Sequence, residues 1–178
     1  ADNFAIVPSG NDPEYVKSIL AIVDRFNVDL VLPKSDEEAL ILSNHRELFE
    51  ARNCKLACAK RGVLEVFNDK ARTYEKLTSL GISVPNYKIV YNMDELSTEL
   101  TAFLKLYSKA VVKPTTMRGG RGIFIIDNNL KNTKPLYFGR EIHLDYKTFQ
   151  TKYLLAFTNQ MPTMIMECLE EPVFDLDM

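Results

Sequence analysis

The sequence has 178 residues, of which 46% are hydrophobic and 26% are charged, and its formal net charge is -2. This composition is that of a soluble globular protein, and it argues against a nucleic-acid-binding protein, which usually carries a basic excess. No apolar run approaches the length of a membrane span, and the three cysteines lack metal-ligand spacing. We therefore expect a cytoplasmic protein that has neither a nucleic-acid partner nor a membrane partner.

The first third of the chain predicts alternating strands and helices. Strands are expected at 4–7, 28–32 and 55–58, and a short helix or turn is expected at 59–66. Asp12 and Pro13 are typical of a helix start, with Asp12 as the cap. Ser35 and Glu38 form a capping box, which predicts a second helix that continues to Phe49. This order of strands and helices predicts a parallel sheet with helices packed on it.

The remaining two thirds predict a mixed arrangement of helices and strands. Helices are expected at 67–80, 94–107 and 145–157, strands at 87–91, 163–169 and 173–178, and a mobile loop at 128–140. Asn68 is the expected cap of the first helix, and Gly81 ends it. Lys70 lies in the first turn of this helix, where a cation opposes the helix dipole. That misfit is a hint of an anion nearby, although an exposed lysine without a role is the alternative.

The most informative stretch is a glycine-rich loop between two short apolar segments, 110–112 and 123–126. These segments are β-branched and too short for helices, so they predict buried strands. Gly119, Gly120 and Gly122 lie in the loop between them. Without a Cβ, glycines allow a loop to turn its N–H groups inward, and such concavities bind anions.

Three basic residues accompany these glycines. Lys113 ends the first strand, and Arg118 and Arg121 lie in the loop, so a polyphosphate is the expected ligand. A plain hairpin with solvated basic residues is the alternative. The loop lacks the Gly-Lys-Ser/Thr ending of a P-loop, and it does not lead from a strand into a helix as a dinucleotide-binding loop does.

Four motifs in one order resemble the ATP-grasp family, and most closely the carbamoyl phosphate synthase large subunit and its stand-alone relatives. They are Asn68-Asp-Lys70, the Gly-Ile-x-Val-Pro stretch 81–85, Val112-Lys-Pro114 before the Gly-Gly-Arg-Gly loop, and Met-Ile-Met-Glu-Cys-Leu at 164–169. The resemblance implies an α/β fold. Residues 1–67 would be a partial Rossmann-like pre-ATP-grasp domain, and 68–178 an incomplete ATP-grasp domain, with the small lobe and the start of the large lobe.

The resemblance also implies a nucleotide site. Lys70 and Lys113 would contact the phosphates of ATP, and the loop 115–122 would close over them. The carbonyl of Glu167 and the N–H of Leu169 would pair with the adenine edge. The residues assigned to the nucleotide in this way are Lys70, Lys113, Thr115, Arg118, Gly119, Gly120, Arg121, Gly122, Glu167 and Leu169.

The sequence departs from the family pattern in two respects. Valine stands at Val173, near the place where the family often has a ribose-binding glutamate, so Glu171, Asp175 or weak ribose binding are the alternatives. The Mg²⁺ ligands of the family are expected beyond residue 178, and the first strands of the N-terminal domain are expected before Ala1.

Members of this family activate a carboxylate as an acyl phosphate, which an amine or another nucleophile then displaces. The resemblance therefore implies the ATP-binding portion of a carboxylate ligase, with ATP and Mg²⁺ as cofactors and an unidentified carboxylate and amine as substrates. We expect the 178-residue chain alone to be inactive. The sequence leaves open whether the chain forms a homodimer. The alternative functions are a non-catalytic nucleotide-binding or sensing module and a plain α/β interaction domain.

Overall fold

The computed structural model describes residues 3–117, 121–130 and 134–170. The chain divides into two compact units, which we call unit 1 (Ala1–Asn68) and unit 2 (Asp69–Met178). Among the described residues, no helix is both long enough and apolar enough to cross a membrane.

Unit 1 alternates short strands with helices, as the sequence predicted. Its elements are α1 (Tyr15–Phe26), β1 (Leu30–Val31), α2 (Asp36–Asn44), α3 (Arg46–Glu50), β2 (Lys55–Leu56) and α4 (Arg61–Phe67). Leu30 pairs with Lys55 in parallel, which confirms the predicted direction of the strands. The core of the unit includes Val23, Leu42 and Phe49.

Two predictions at the N-terminal end of unit 1 are wrong. Residues 4–7 do not form a strand in the part of the chain that the structure describes; Phe4 is 92% exposed and Ile6 is 95% exposed. A strand needs a neighbour with which to share its backbone hydrogen bonds, and no described segment pairs with this one. Asp12 does not cap α1 but forms a turn before it, in which its carboxylate accepts the N–H of Glu14 at 2.8 Å.

The capping box of α2 is confirmed. The Ser35 hydroxyl accepts a hydrogen bond from the N–H of Glu38 at 3.2 Å, and the Glu38 carboxylate accepts one from the N–H of Lys34 at 2.8 Å. The predicted continuous helix is broken at His45, which leaves helical geometry with φ −117° and ψ 20°. The stretch is therefore two helices, α2 and α3.

Unit 2 contains a larger sheet. Its elements are α5 (Lys70–Ser79), β3 (Tyr87–Val90), α6 (Met93–Tyr107), β4 (Lys109–Pro114), β5 (Phe124–Asp127), β6 (Leu136–Phe138), β7 (Glu141–Leu144), α7 (Tyr146–Thr148), a π-helical turn (Phe149–Tyr153), a 3₁₀ segment (Leu154–Asn159) and β8 (Thr163–Glu167). The six strands lie in the order β3-β8-β4-β5-β7-β6. The pair β5–β7 is parallel and the others are antiparallel. The predicted hairpin β4–β5 is confirmed.

Alternate residues of these strands point to opposite sides of the sheet. On the side that we call the packed face, strand residues such as Val112, Ile126 and Ile165 are fully buried, and they form one core with residues such as Leu100 of α6 and Phe149. The residues between them form the opposite side, which we call the second face. It includes Val111, Lys113, Ile125, Glu141, His143, Met164 and Met166.

Two further predictions in unit 2 are wrong. The cap of α5 is Asp69, whose carboxylate accepts the N–H of Ala71 at 2.9 Å, whereas Asn68 ends α4 by donating its N–H to the Leu64 carbonyl. The predicted loop 128–140 contains β6, because its residues pair with β7. Asp145 starts a helix as expected, but the turns after α7 change to π and 3₁₀ geometry. The predicted strand 173–178 lies outside the described residues.

Candidate anion-binding site

Lys70 joins the start of α5 to the end of β4. Its backbone N–H donates to the Thr115 carbonyl at 2.9 Å, and its ammonium group donates to the same carbonyl at 3.3 Å and to the carbonyl of Met117. Burial lowers the pKa of Lys70, although the nearby Asp69 carboxylate acts in the opposite direction. The structure thus brings together Lys70 and Thr115, which lie far apart in the sequence.

Lys113 is a half-buried cation on the second face. Its Nζ lies 5.7 Å from the centre of the Tyr74 ring, within the range of a cation–π contact. Burial, and secondly the positive charge of Lys70, lower its pKa from 10.5 to about 8, and Glu141 opposes this shift. No hydrogen-bond partner of the Lys113 ammonium is found in residues 3–117, 121–130 and 134–170. The two lysines therefore form a desolvated positive centre that a bound anion would stabilise.

Tyr74 forms a wall beside Lys113. Its ring packs edge-on against Tyr87 at a centroid distance of 5.1 Å, and its hydroxyl donates to the Sδ of Met166 at 3.7 Å. Burial, followed by the influence of Tyr87, raises the pKa of Tyr74. The sequence predicted an inward-facing Tyr74 but not its contact with Lys113, which depends on how α5 packs against the sheet.

The beginning of the glycine-rich loop is closely packed. Thr115 is fully buried, and its N–H donates to the Pro162 carbonyl at 3.2 Å, but its hydroxyl has no hydrogen-bond partner among the described residues. Gly122 has φ +70°, and a Cβ there would lie 3.2 Å from the Cδ of Pro114 and 3.3 Å from the Sδ of Met117. Only glycine fits this position without strain. A buried hydroxyl without a partner is a group that a ligand could satisfy.

The other loop residues assigned from the sequence are less informative. Arg121 is exposed, next to Gly122. Arg118, Gly119 and Gly120 lie outside the described residues, so their predicted contacts with phosphate stay predictions.

The residues predicted to contact adenine lie at the other end of the same strands. Glu167 is opposite Ala110 in the register, whereas Lys113 is opposite Met164. These positions are three residues apart along the strand, which corresponds to about 10 Å. Leu169 follows β8 and is 55% exposed. The pairing of Glu167 and Leu169 with adenine stays a prediction.

Glu167 also has a structural role that the sequence did not reveal. Its carboxylate accepts hydrogen bonds from the backbone N–H of Asn86 at 3.1 Å and from the Nδ2 of Asn86 at 3.2 Å. Its own N–H donates to the Asn86 carbonyl at 3.0 Å. These bonds fix the segment that precedes β3 to the end of β8.

Glu141 and His143 are polar residues on the second face that the sequence analysis did not assign to the site. The Oε2 of Glu141 lies 3.6 Å from the Nε2 of His143, and Phe138 packs edge-on against the imidazole at 4.7 Å. Polar residues two positions apart in a short alternating stretch are a signal of a strand with one polar face. The interpretation of 128–140 as a loop obscured that signal.

The described residues do not supply a magnesium site. Within the three described ranges, no group of three or more His, Cys, Asp or Glu side chains could hold a metal ion. The expected use of Mg²⁺ therefore stays a prediction.

Comparison with known proteins gives the class of fold. The chain matches the biotin carboxylase domain of Hydrogenobacter thermophilus 2-oxoglutarate carboxylase, solved as a dimer with MgADP, ADP and bicarbonate, with a TM-score of 0.58, 15% identity and coverage of 94% of this chain and 34% of that one. It matches the D-alanine-D-alanine ligase of Coxiella burnetii with a TM-score of 0.58, 17% identity and coverage of 82% and 39%. It also matches an ADP complex of N5-carboxyaminoimidazole ribonucleotide synthetase with a TM-score of 0.58, 16% identity and coverage of 92% and 35%.

All three neighbours are ATP-grasp ligases, and the chain therefore has the ATP-grasp fold that the resemblance implied. Residues 1–57 match the family model of the PylC-like N-terminal domain. A search of curated proteins by sequence found no match. The chain spans 34 to 39% of the length of the three enzymes, and identities this low establish the fold alone.

Proposed function

We propose that unit 2 binds the phosphates of ATP through Lys70 and Lys113, as the ATP-binding portion of an ATP-dependent carboxylate ligase that acts through an acyl phosphate. The observation that carries this proposal is the convergence of the two lysines beside Thr115 and Gly122. Burial lowers the pKa of both lysines, and that of Lys113 falls to about 8. Buried ammonium groups with lowered pKa values favour the binding of a ligand of opposite charge, because the ligand replaces the solvation that they have lost.

The hydrogen-bond donors at the start of the glycine-rich loop support phosphate as the bound anion. Gly122 keeps the loop close to Pro114, and the buried Thr115 hydroxyl offers a further donor within this part of the chain. Backbone N–H groups, a hydroxyl and ammonium groups are the donors that phosphate oxygens prefer.

The neighbours support ATP as the source of that phosphate. Two of the three were solved with ADP, and each is a ligase or carboxylase that the chain resembles in fold. Carbamoyl phosphate synthase-like specificity, the use of Mg²⁺, the identity of the carboxylate and of the amine, and a cytoplasmic location are further parts of the proposal. They come from the resemblance in sequence.

Calorimetric titration of ATP tests the phosphate assignment. Lys113→Met should weaken ATP binding by at least about tenfold, because a charge-assisted hydrogen bond contributes roughly 1.5–3 kcal/mol. Lys88→Met is the matched control. Lys88 lies on β3 of the same sheet and pairs with Glu99 of α6 at 3.5 Å, on the side of the packed face. Its replacement should change ATP affinity less than twofold. Equal effects of the two substitutions, or no ATP binding by the unmodified protein, would contradict the proposal.

A further inference from the structure

Glu141 lies in the same row of the second face as Lys113. Val112 pairs with Phe124 across β4 and β5, and Phe124 pairs with Ile142 across β5 and β7. When this register is extended by one residue, to Ile123 just before β5, Lys113 and Glu141 lie on either side of Ile123. Two strand spacings correspond to about 10 Å between the backbones of Lys113 and Glu141, a distance that two long side chains reduce.

Charged and aromatic groups of α5 and β7 face Lys113 in the part of the chain that the structure describes. Lys70 and the Tyr74 ring face it from α5, and Glu141 acts on it electrostatically from β7. His143, also on β7, lies beside the Glu141 carboxylate at 3.6 Å. Within the described residues, Glu141 forms no direct ion pair with Lys113, but it is the carboxylate in the same row of the second face and it favours the ammonium form of Lys113.

We propose that Glu141 is an internal counter-ion of Lys113 that competes with the phosphates of the ligand, and so limits the affinity of the site for highly charged nucleotides. This inference rests on the proposed function. A phosphate that approaches Lys113 also approaches the Glu141 carboxylate, and the repulsion grows with the charge of the ligand. The Glu141 carboxylate already lies 3.6 Å from His143, so a bound phosphate need not break a direct contact between Glu141 and Lys113.

The variant Glu141→Gln removes the charge and keeps the shape of the side chain. Its side chain is 44% exposed, so the substitution is compatible with folding. By calorimetry at pH 6.5, we expect ATP to bind about fivefold more tightly to Glu141→Gln, with smaller gains for ADP and AMP in that order. The control Glu99→Gln removes the same charge from the ion pair of Lys88 and Glu99, and it should leave all three affinities unchanged.

A second measurement needs no nucleotide. In the ligand-free protein with ¹³C-labelled lysine, NMR should show that Lys113 titrates at a lower pH in Glu141→Gln than in the unmodified protein, because a neighbouring carboxylate favours the ammonium form. Glu99→Gln should not shift this titration. The gain in ATP affinity of Glu141→Gln should also shrink as the pH rises through the titration of Lys113.

The two measurements separate the proposals. If the unmodified protein does not bind ATP but Glu141→Gln shifts the titration of Lys113, the proposed function is wrong and the pairing of Glu141 with Lys113 stands. If ATP binds and Glu141→Gln leaves its affinity unchanged or weakens it, Glu141 does not compete with phosphate and the inference is overturned. An unchanged titration of Lys113 overturns it as well.

Discussion

The packed face and the second face of the unit 2 sheet are made from alternate residues of the same strands, but they have different chemistry. On the packed face, Val112, Ile126 and Ile165 are fully buried in an apolar core. On the second face, β4 presents Lys113 and the neighbouring β7 presents Glu141, although Met164 of β8 is buried there as well. The comparison shows how a strand can contribute stability from one side and a binding site from the other.

Two lysines of this sheet, Lys88 and Lys113, show the difference most clearly. Lys88 and Glu99 are directly paired at 3.5 Å, and the side chain of Lys88 is 55% exposed. Such a pair contributes little to stability because water screens it. Lys113 instead lies over the Tyr74 ring, and its pKa falls to about 8 because burial disfavours its charge. Lys113 is therefore the lysine of the two whose charge a bound anion would stabilise more.

The largest expected effect concerns the stability that each face contributes. Ile126→Ala should destabilise unit 2 by about 2–5 kcal/mol, because it leaves a cavity in the core. Ile125→Ala, at the adjacent residue of β5 on the partly exposed second face, should cost less than half as much. Urea unfolding followed by tyrosine fluorescence measures this, since all tyrosines except Tyr15 lie in unit 2. Similar losses at both positions would mean that the second face is also a structural core.

A smaller effect is expected from the loop that borders the second face. Gly122→Ala should destabilise unit 2 by about 1–2 kcal/mol, because a Cβ disfavours the positive φ of this residue. The substitution should also weaken ATP binding, because the added Cβ would lie too close to Pro114 and Met117. Gly139 is the matched control, since it has φ +61° but nothing within 4 Å of a Cβ. Gly139→Ala should carry the backbone strain without the effect on ATP. If both variants bind ATP equally well, the packing of Gly122 has no role in the site.

The sequence predicted those parts of the fold that depend on local signals. The helix expected at 94–107 is α6, Met93–Tyr107, because an apolar face at helical spacing and a cap are both encoded nearby. Strands depend on partners elsewhere in the chain. Residues 4–7 are apolar but have no described partner, whereas β6 is short and follows a polar stretch, yet it pairs with β7.

The same distinction applies to the candidate site. The sequence assigned Lys70, Lys113 and Thr115 to the candidate site because they belong to motifs with a recognisable order along the chain. Tyr74 and Glu141 were missed because their relation to Lys113 follows from helix packing and from the register of β4, β5 and β7. A single sequence does not encode register in a local pattern, so such neighbours become visible only in the folded protein.

The last prediction concerns the cost of the buried Lys113 ammonium in free energy of unfolding. The pKa of Lys113 is about 8 in the folded protein and 10.5 as the ordinary value for lysine, so between these pH values the unfolded chain binds more protons than the folded one. The stability of the unmodified protein should therefore rise with pH across this window, relative to a variant without the amine. Below pH 8, Lys113→Met should be more stable by on the order of 1 kcal/mol, a figure reduced from the full shift because part of the side chain is exposed. This advantage should disappear as the pH approaches 10.5.

Urea unfolding followed by circular dichroism at pH 7, 8, 9 and 10 measures this difference between Lys113→Met and the unmodified protein. Lys88→Met is the matched control, since it removes an exposed lysine that is paired with Glu99. Together with weaker ATP binding, a gain in stability would mean that Lys113 is kept for binding rather than for folding, which is the pattern expected of a functional residue. A loss of stability at pH 7 would instead mean that the Tyr74 ring and Glu141 fully compensate the buried ammonium. The second face would then be a structural surface like the packed one.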